Sequence, residues 1–85
     1  MINPYEVLYD GIKDMKILFI SETNSYSIAS LTWKGKQKLA FRWNGNESED
    51  SLGTPTANGK ATWMFLPEDF LEQLGAVLDR IRKGE

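Results

Sequence analysis

Tyr26-Ser27-Ile28-Ala29-Ser30-Leu31-Thr32-Trp33-Lys34-Gly35-Lys36-Gln37-Lys38-Leu39-Ala40-Phe41-Arg42-Trp43 reads as two strands joined by a tight reversal at Lys34-Gly35. The first half is apolar with interspersed hydroxyls. The second half carries Lys36, Lys38 and Arg42, with no acid anywhere between Trp33 and Trp43. Side chains alternate across a strand, so Lys36, Lys38 and Arg42 share one face while Leu39, Phe41 and Trp43 share the other. The turn length decides what faces them. A two-residue turn sets Trp33 opposite Lys36 and puts this tryptophan on the basic face. A three-residue loop reverses the parity and joins Ala29, Leu31 and Trp33 to Leu39, Phe41 and Trp43 in one apolar face. The second arrangement makes the better core and the first the better binding surface; the sequence leaves both open.

Outward from the hairpin, Met15-Lys-Ile-Leu-Phe-Ile20 is β-branched and aromatic, bounded by Gly11 and the polar stretch Ser21 to Ser25, and reads as the preceding strand. Before it, Asn3-Pro4-Tyr5-Glu6 has the cap, the first-turn proline and the acid of a short helix running to about Tyr9. Beyond Asn44, residues 45–59 form a long acidic loop of turn formers with only Leu52 and Ala57 apolar. A loop of that length is functional or mobile, and the composition allows both, with simple mobility the favoured expectation. Lys60 to Leu66 is apolar at nearly every position, as in a buried strand. A helix then opens at Pro67 with Glu68 and Asp69 at its positive end, runs with one stripe of Phe70, Leu71, Leu74, Val77, Leu78 and Ile81, and closes on Arg80, Arg82, Lys83 and Gly84. The stripe needs a sheet to cover. The predicted fold class is therefore α+β, a four-stranded antiparallel sheet (β-β-β-β-α) packed by one C-terminal amphipathic helix, in a single domain over residues 1–85.

The 85 residues lie near the lower limit for folding without staples, and the absence of cysteine leaves the core to aromatics and aliphatics. With no histidine and no cysteine, the commonest general base and the commonest zinc and copper ligands are missing, and a nucleophilic triad in its usual form is excluded. Carboxylates cluster at Glu47, Glu49 and Asp50 and at Glu68 and Asp69, but the first group lacks the spacing of a calcium loop and the second belongs to the helix start. No glycine run matches a phosphate-cradling motif. The expectation is a non-enzymatic protein with no cofactor and no metal. No apolar run reaches the roughly 18 residues of a membrane span and no signal-peptide pattern opens the chain, so a soluble cytoplasmic protein without a membrane partner is expected.

The net charge of −2 is segregated, with the basic hairpin set against the acidic loop. Phosphates attract cations and unpaired bases stack on rings, so single-stranded nucleic acid is the expected partner. The plainer alternative is that the lysines only solubilise an exposed edge. Trp43 and Trp63 read as buried anchors, and Trp33, beside the turn, as the ring available for binding. The second functional reading is a protein-interaction module that uses the Trp33–Trp43 hairpin and the acidic loop to engage a protein partner.

The order of features also resembles the positive cofactor four family of transcriptional coactivators, which bind single-stranded DNA. The likeness rests on Trp33-Lys34-Gly35, the basic strand Lys36 to Arg42, Gly59-Lys60 leading into an apolar strand, and Leu66-Pro67-Glu68-Asp69-Phe70-Leu71 opening the helix. It covers roughly residues 14–83. The resemblance implies a homodimer with a curved sheet, and DNA contacts from Trp33, Lys36, Lys38, Arg42 and Lys60; with Lys34 of the turn, these are the expected nucleic-acid-binding residues.

Overall fold

The computed structural model of the chain describes residues 1–48 and 50–84. A 3-10 turn at Pro4–Glu6 leads to β1 (Ile12–Ile20), β2 (Tyr26–Trp33) and β3 (Lys36–Trp43). These are followed by β4 (Thr56–Ala57), β5 (Lys60–Ala61), β6 (Met64–Leu66) and α1 (Phe70–Lys83). Strands β1, β2, β3 and β6 form one antiparallel sheet in that spatial order, and β4 and β5 make a separate small hairpin. The α+β arrangement of a four-stranded sheet and a C-terminal helix is as expected. The run from Lys60 to Leu66, however, is two strands. Lys60 and Ala61 turn back on Ala57 and Thr56 through Asn58-Gly59, both at positive φ, and only Met64–Leu66 reaches β3.

The reversal between β2 and β3 has two residues. Lys34 (φ 51°) and Gly35 (φ 78°) are both left-handed, the backbone that matches the twist of paired strands, and Trp33 lies opposite Lys36. Directly opposed residues share a face. Trp33, Leu31, Ala29 and Ser27 therefore share the inner face with Lys36, Lys38, Ala40 and Arg42, while Tyr26 and Ile28 share the outer face with Phe41, Leu39 and Trp43. The inner face is the core side. Ala29, Leu31 and Ala40 are fully buried under Val7 and Trp63, whose indole Nε1 donates 2.8 Å to the Val7 carbonyl. The alanines leave room for the N-terminal segment and the large indole to lie against the sheet.

That contact also explains why the N-terminal turn is short. Asn3 caps it as expected, its side-chain oxygen accepting from the Tyr5 amide at 3.1 Å, but the turn ends at Glu6 because Val7 drops into the core. At the sheet margin, β1 is broken by irregularities between Lys13 and Lys16 and between Ile17 and Phe19, with Asp14 at φ 51°. A bulged, charged edge resists pairing with another strand.

The helix begins later than predicted. Pro67 to Asp69 form a turn whose Pro67 carbonyl accepts from the Phe70 amide at 3.0 Å, and Gly84 ends the helix with its amide on the Arg80 carbonyl. Its cover is partial. No helix residue is buried, and from Leu71 to Ile81 the stripe is between 41% (Leu74) and 67% (Leu71) exposed. The core formed against the opposite side of the sheet, where the N-terminal segment and Trp63 already fill the space.

Candidate interaction surface

Arg42, expected to face a polyanion, is instead fully buried. Its inner-face position points it past Ser27 into the base of the long loop. Nε donates to Asn44 Oδ1 at 3.2 Å, Nη1 to the Thr62 carbonyl, and Nη2 to the carbonyls of Trp43 (3.1 Å) and Leu52. Asn44 in turn donates to Ser27 Oγ at 2.7 Å and to Asn24 Oδ1 at 3.2 Å. These acceptors are neutral, and burial pushes the Arg42 pKa down from its ordinary value. The guanidinium acts as an internal fastener. It joins β3, the 44–54 loop and Thr62, and a paired strand contact between Trp43 and Thr54 continues the tie. Gly53, at φ 70°, is required there, since a Cβ would collide with the Trp43 carbonyl and the Arg42 guanidinium.

The other predicted contacts do not form one surface with Arg42. Trp33 is half-buried, packed on Phe65 at 5.4 Å between ring centroids and lying so close to Gly11 that a Cβ there would sit 2.6 Å from the indole. Lys34 is exposed with its Nζ 5.7 Å from the centroid of that ring. Lys36 and Lys60 are exposed and Lys38 is half-buried. Arg42 is six residues along β3 from Lys36, about 20 Å at strand rise. Of the acidic cluster, Glu47 and Asp50 are exposed, and Glu49 lies outside the described residues. Among the described residues no group of three or more acids could hold a metal ion, and no helix is long and apolar enough to cross a membrane.

The outer face of the sheet is the unexpected feature. Trp43, predicted as a core anchor, is 52% exposed. It stands on that face with Phe41 (5.1 Å, edge-on), Tyr26 (5.9 Å from Trp43, 5.6 Å from Phe41) and, beyond Tyr26, Phe19 at 5.8 Å. The two-residue turn puts them there, because it commits the opposite parity to the core. Along the apolar end runs an open groove of about 670 Å³. Ile28, Leu39, Phe41, Trp43, Met64 and Leu66 line it from the sheet, and Phe70, Leu71 and Leu74 line it from the helix. Among the described residues no charged or amide side chain lines it. Such a groove takes an apolar partner surface and gives a phosphate nothing to bind. Lys13 and Lys16 oppose Thr32 and Ser30 at the far, polar end of the same face.

No family model, no curated protein and no solved structure matches the chain.

Proposed function

We propose that this chain is a small non-enzymatic interaction module that docks a protein partner through the outer apolar face of its sheet and the adjoining helix. The observation that carries this reading is the groove between sheet and helix, lined by nine apolar side chains and open to solvent. Contiguous apolar surface of this kind is costly to leave in water, and its aromatic and methionine content is typical of interface cores. The single-stranded nucleic acid reading draws on the exposed Lys34, Lys36 and Lys60, but the Arg42 charge it would use is enclosed by carbonyls.

The test sets the two surfaces against each other. Wild-type protein, the outer-face variant Trp43→Glu/Leu74→Glu and the hairpin variant Lys34→Glu/Lys36→Glu are compared in nuclease-treated affinity capture and in titration with a labelled 20-mer oligothymidine. Capture of a defined protein that survives the hairpin change and is lost with the outer-face change supports the proposal. Saturable oligonucleotide binding that weakens steeply with salt and disappears in the hairpin variant would overturn it in favour of nucleic acid.

A further inference from the structure

Four aromatic rings meet on the outer face in a continuous chain, from Phe19 through Tyr26 and Phe41 to Trp43. Their tilts decide what they can hold. Trp43 stands at 87° to Phe41 and at 72° to Tyr26, so these rings make ridges and slots instead of one plane. Successive bases stack on flat ring faces, which rings set edge-on to one another do not present together. Slots between upright rings suit the pyrrolidine rings of a polyproline II helix, a shape that docks aromatic-lined grooves.

Hydrogen-bonding capacity points the same way. Among the nine described residues that line the groove, only Trp43 has a strong side-chain donor, its indole N–H, and none has a strong side-chain acceptor. A peptide buried there does best if it brings no donors. An extended chain of other residues brings an amide N–H at each position, and every one left unpaired costs about 1–3 kcal/mol. Proline brings none, and its carbonyl can accept from the indole. The apolar lining along β3 runs from Leu39 to Trp43, about 13 Å at strand rise, which matches about four residues of polyproline II.

Charge marks one end of the groove. Glu68 lines the adjoining hollow, which shares Leu39, Leu66 and Leu71 with the groove, and Asp69 and Glu72 are exposed beside it at the helix start. Lys38 is the one base in that hollow and is half-buried. Three acids against one base favour a partner that carries arginine or lysine beyond its prolines.

We infer that the groove receives a proline-rich segment of the partner protein in polyproline II conformation, with a basic residue at the end that lies over Glu68 and Glu72. The inference rests on the docking reading of the outer face and names the chemistry of its occupant.

Anisotropy of dye-labelled peptides titrated with the full chain tests it. The probes are decaproline, decaproline ending in two arginines, and a glycine-serine peptide ending in the same two arginines. Both decaprolines are expected to bind saturably, the arginine-tailed one about threefold tighter, and the glycine-serine peptide not at all. Trp43 is the most exposed tryptophan, at 52% against 4% for Trp63 with Trp33 half-buried, so binding also changes the tryptophan emission. Trp43→Ala weakens both decaprolines by at least about tenfold, and Glu68→Lys/Glu72→Lys removes the advantage of the arginines while leaving plain decaproline unchanged. Where Trp43→Ala lacks a cooperative thermal transition, Leu74→Glu, at a half-exposed helix position, takes its place.

Absence of saturable decaproline binding overturns the inference. So does equal binding of the glycine-serine peptide, since charge alone would then account for it, and so does affinity unchanged by Trp43→Ala or Leu74→Glu. If decaproline fails while a captured protein is still lost with Trp43→Glu/Leu74→Glu, the docking reading stands and its occupant is of another chemistry, such as an amphipathic helix. If capture is also indifferent to those changes, the docking reading falls with the inference.

Discussion

Arg42 shows how one side chain can decide what a surface is for. Its donors go to Asn44, Thr62, Trp43 and Leu52, all neutral acceptors, so the charge is held by dipoles inside the protein. Because burial lowers its pKa, the unfolded chain binds the proton more firmly than the folded one. The buried charge therefore opposes folding wherever Arg42 is protonated, and stability would rise with pH only as the folded group gives up its proton. What the guanidinium returns is order in the loop it fastens. Replacing it with alanine leaves a cavity and several unpaired carbonyls, so Arg42→Ala is expected to cost about 3 kcal/mol in a urea unfolding titration. A loss below about 1 kcal/mol would mean that the loop does not depend on this fastener. The burial was only partly legible in sequence. An arginine flanked by apolar residues on a strand ordinarily faces water. The available signal lay across the hairpin, where Ser27, Ala29 and Ala40 are too small for a solvent face that carries long side chains.

At the scale of elements, the hairpin and the amphipathic helix were legible because alternation and three-four spacing are properties of the local chain. The parity of the hairpin was not. It turns on whether Lys34 accepts a left-handed backbone, and lysine before glycine marks that conformation less strongly than asparagine does in the Asn58-Gly59 turn of β4–β5. Once Lys34 adopts it, every side chain of β2 and β3 is assigned to a face. The aromatic surface then follows, as does the exposure of Trp43. The split of Lys60–Leu66 into β5 and β6 was hidden for a similar reason, since a continuous apolar run does not show where the chain bends to bury Trp63. Within the helix, Gly75 has open space where a Cβ would stand. Gly75→Ala is expected to stabilise the helix by about 1 kcal/mol and to raise the helical circular dichroism signal at constant protein concentration. An unchanged signal would indicate that packing, rather than propensity, limits this helix.

For the molecule as a whole, the account is that the sheet spends its two faces differently. The inner face closes a small core under Val7 and Trp63, and the outer face with α1 stays open to solvent, the surface we propose for docking. Fold class was legible from pattern, but the location of the uncovered apolar face was not, because it depends on which side the N-terminal segment covers. The most direct test of this central claim is amide hydrogen exchange of the isolated protein. The account predicts that residues 70–83 exchange far faster than β2 and β3. Helix amides as protected as those of β2 and β3 would contradict it, since the protomer would then complete the helix unaided.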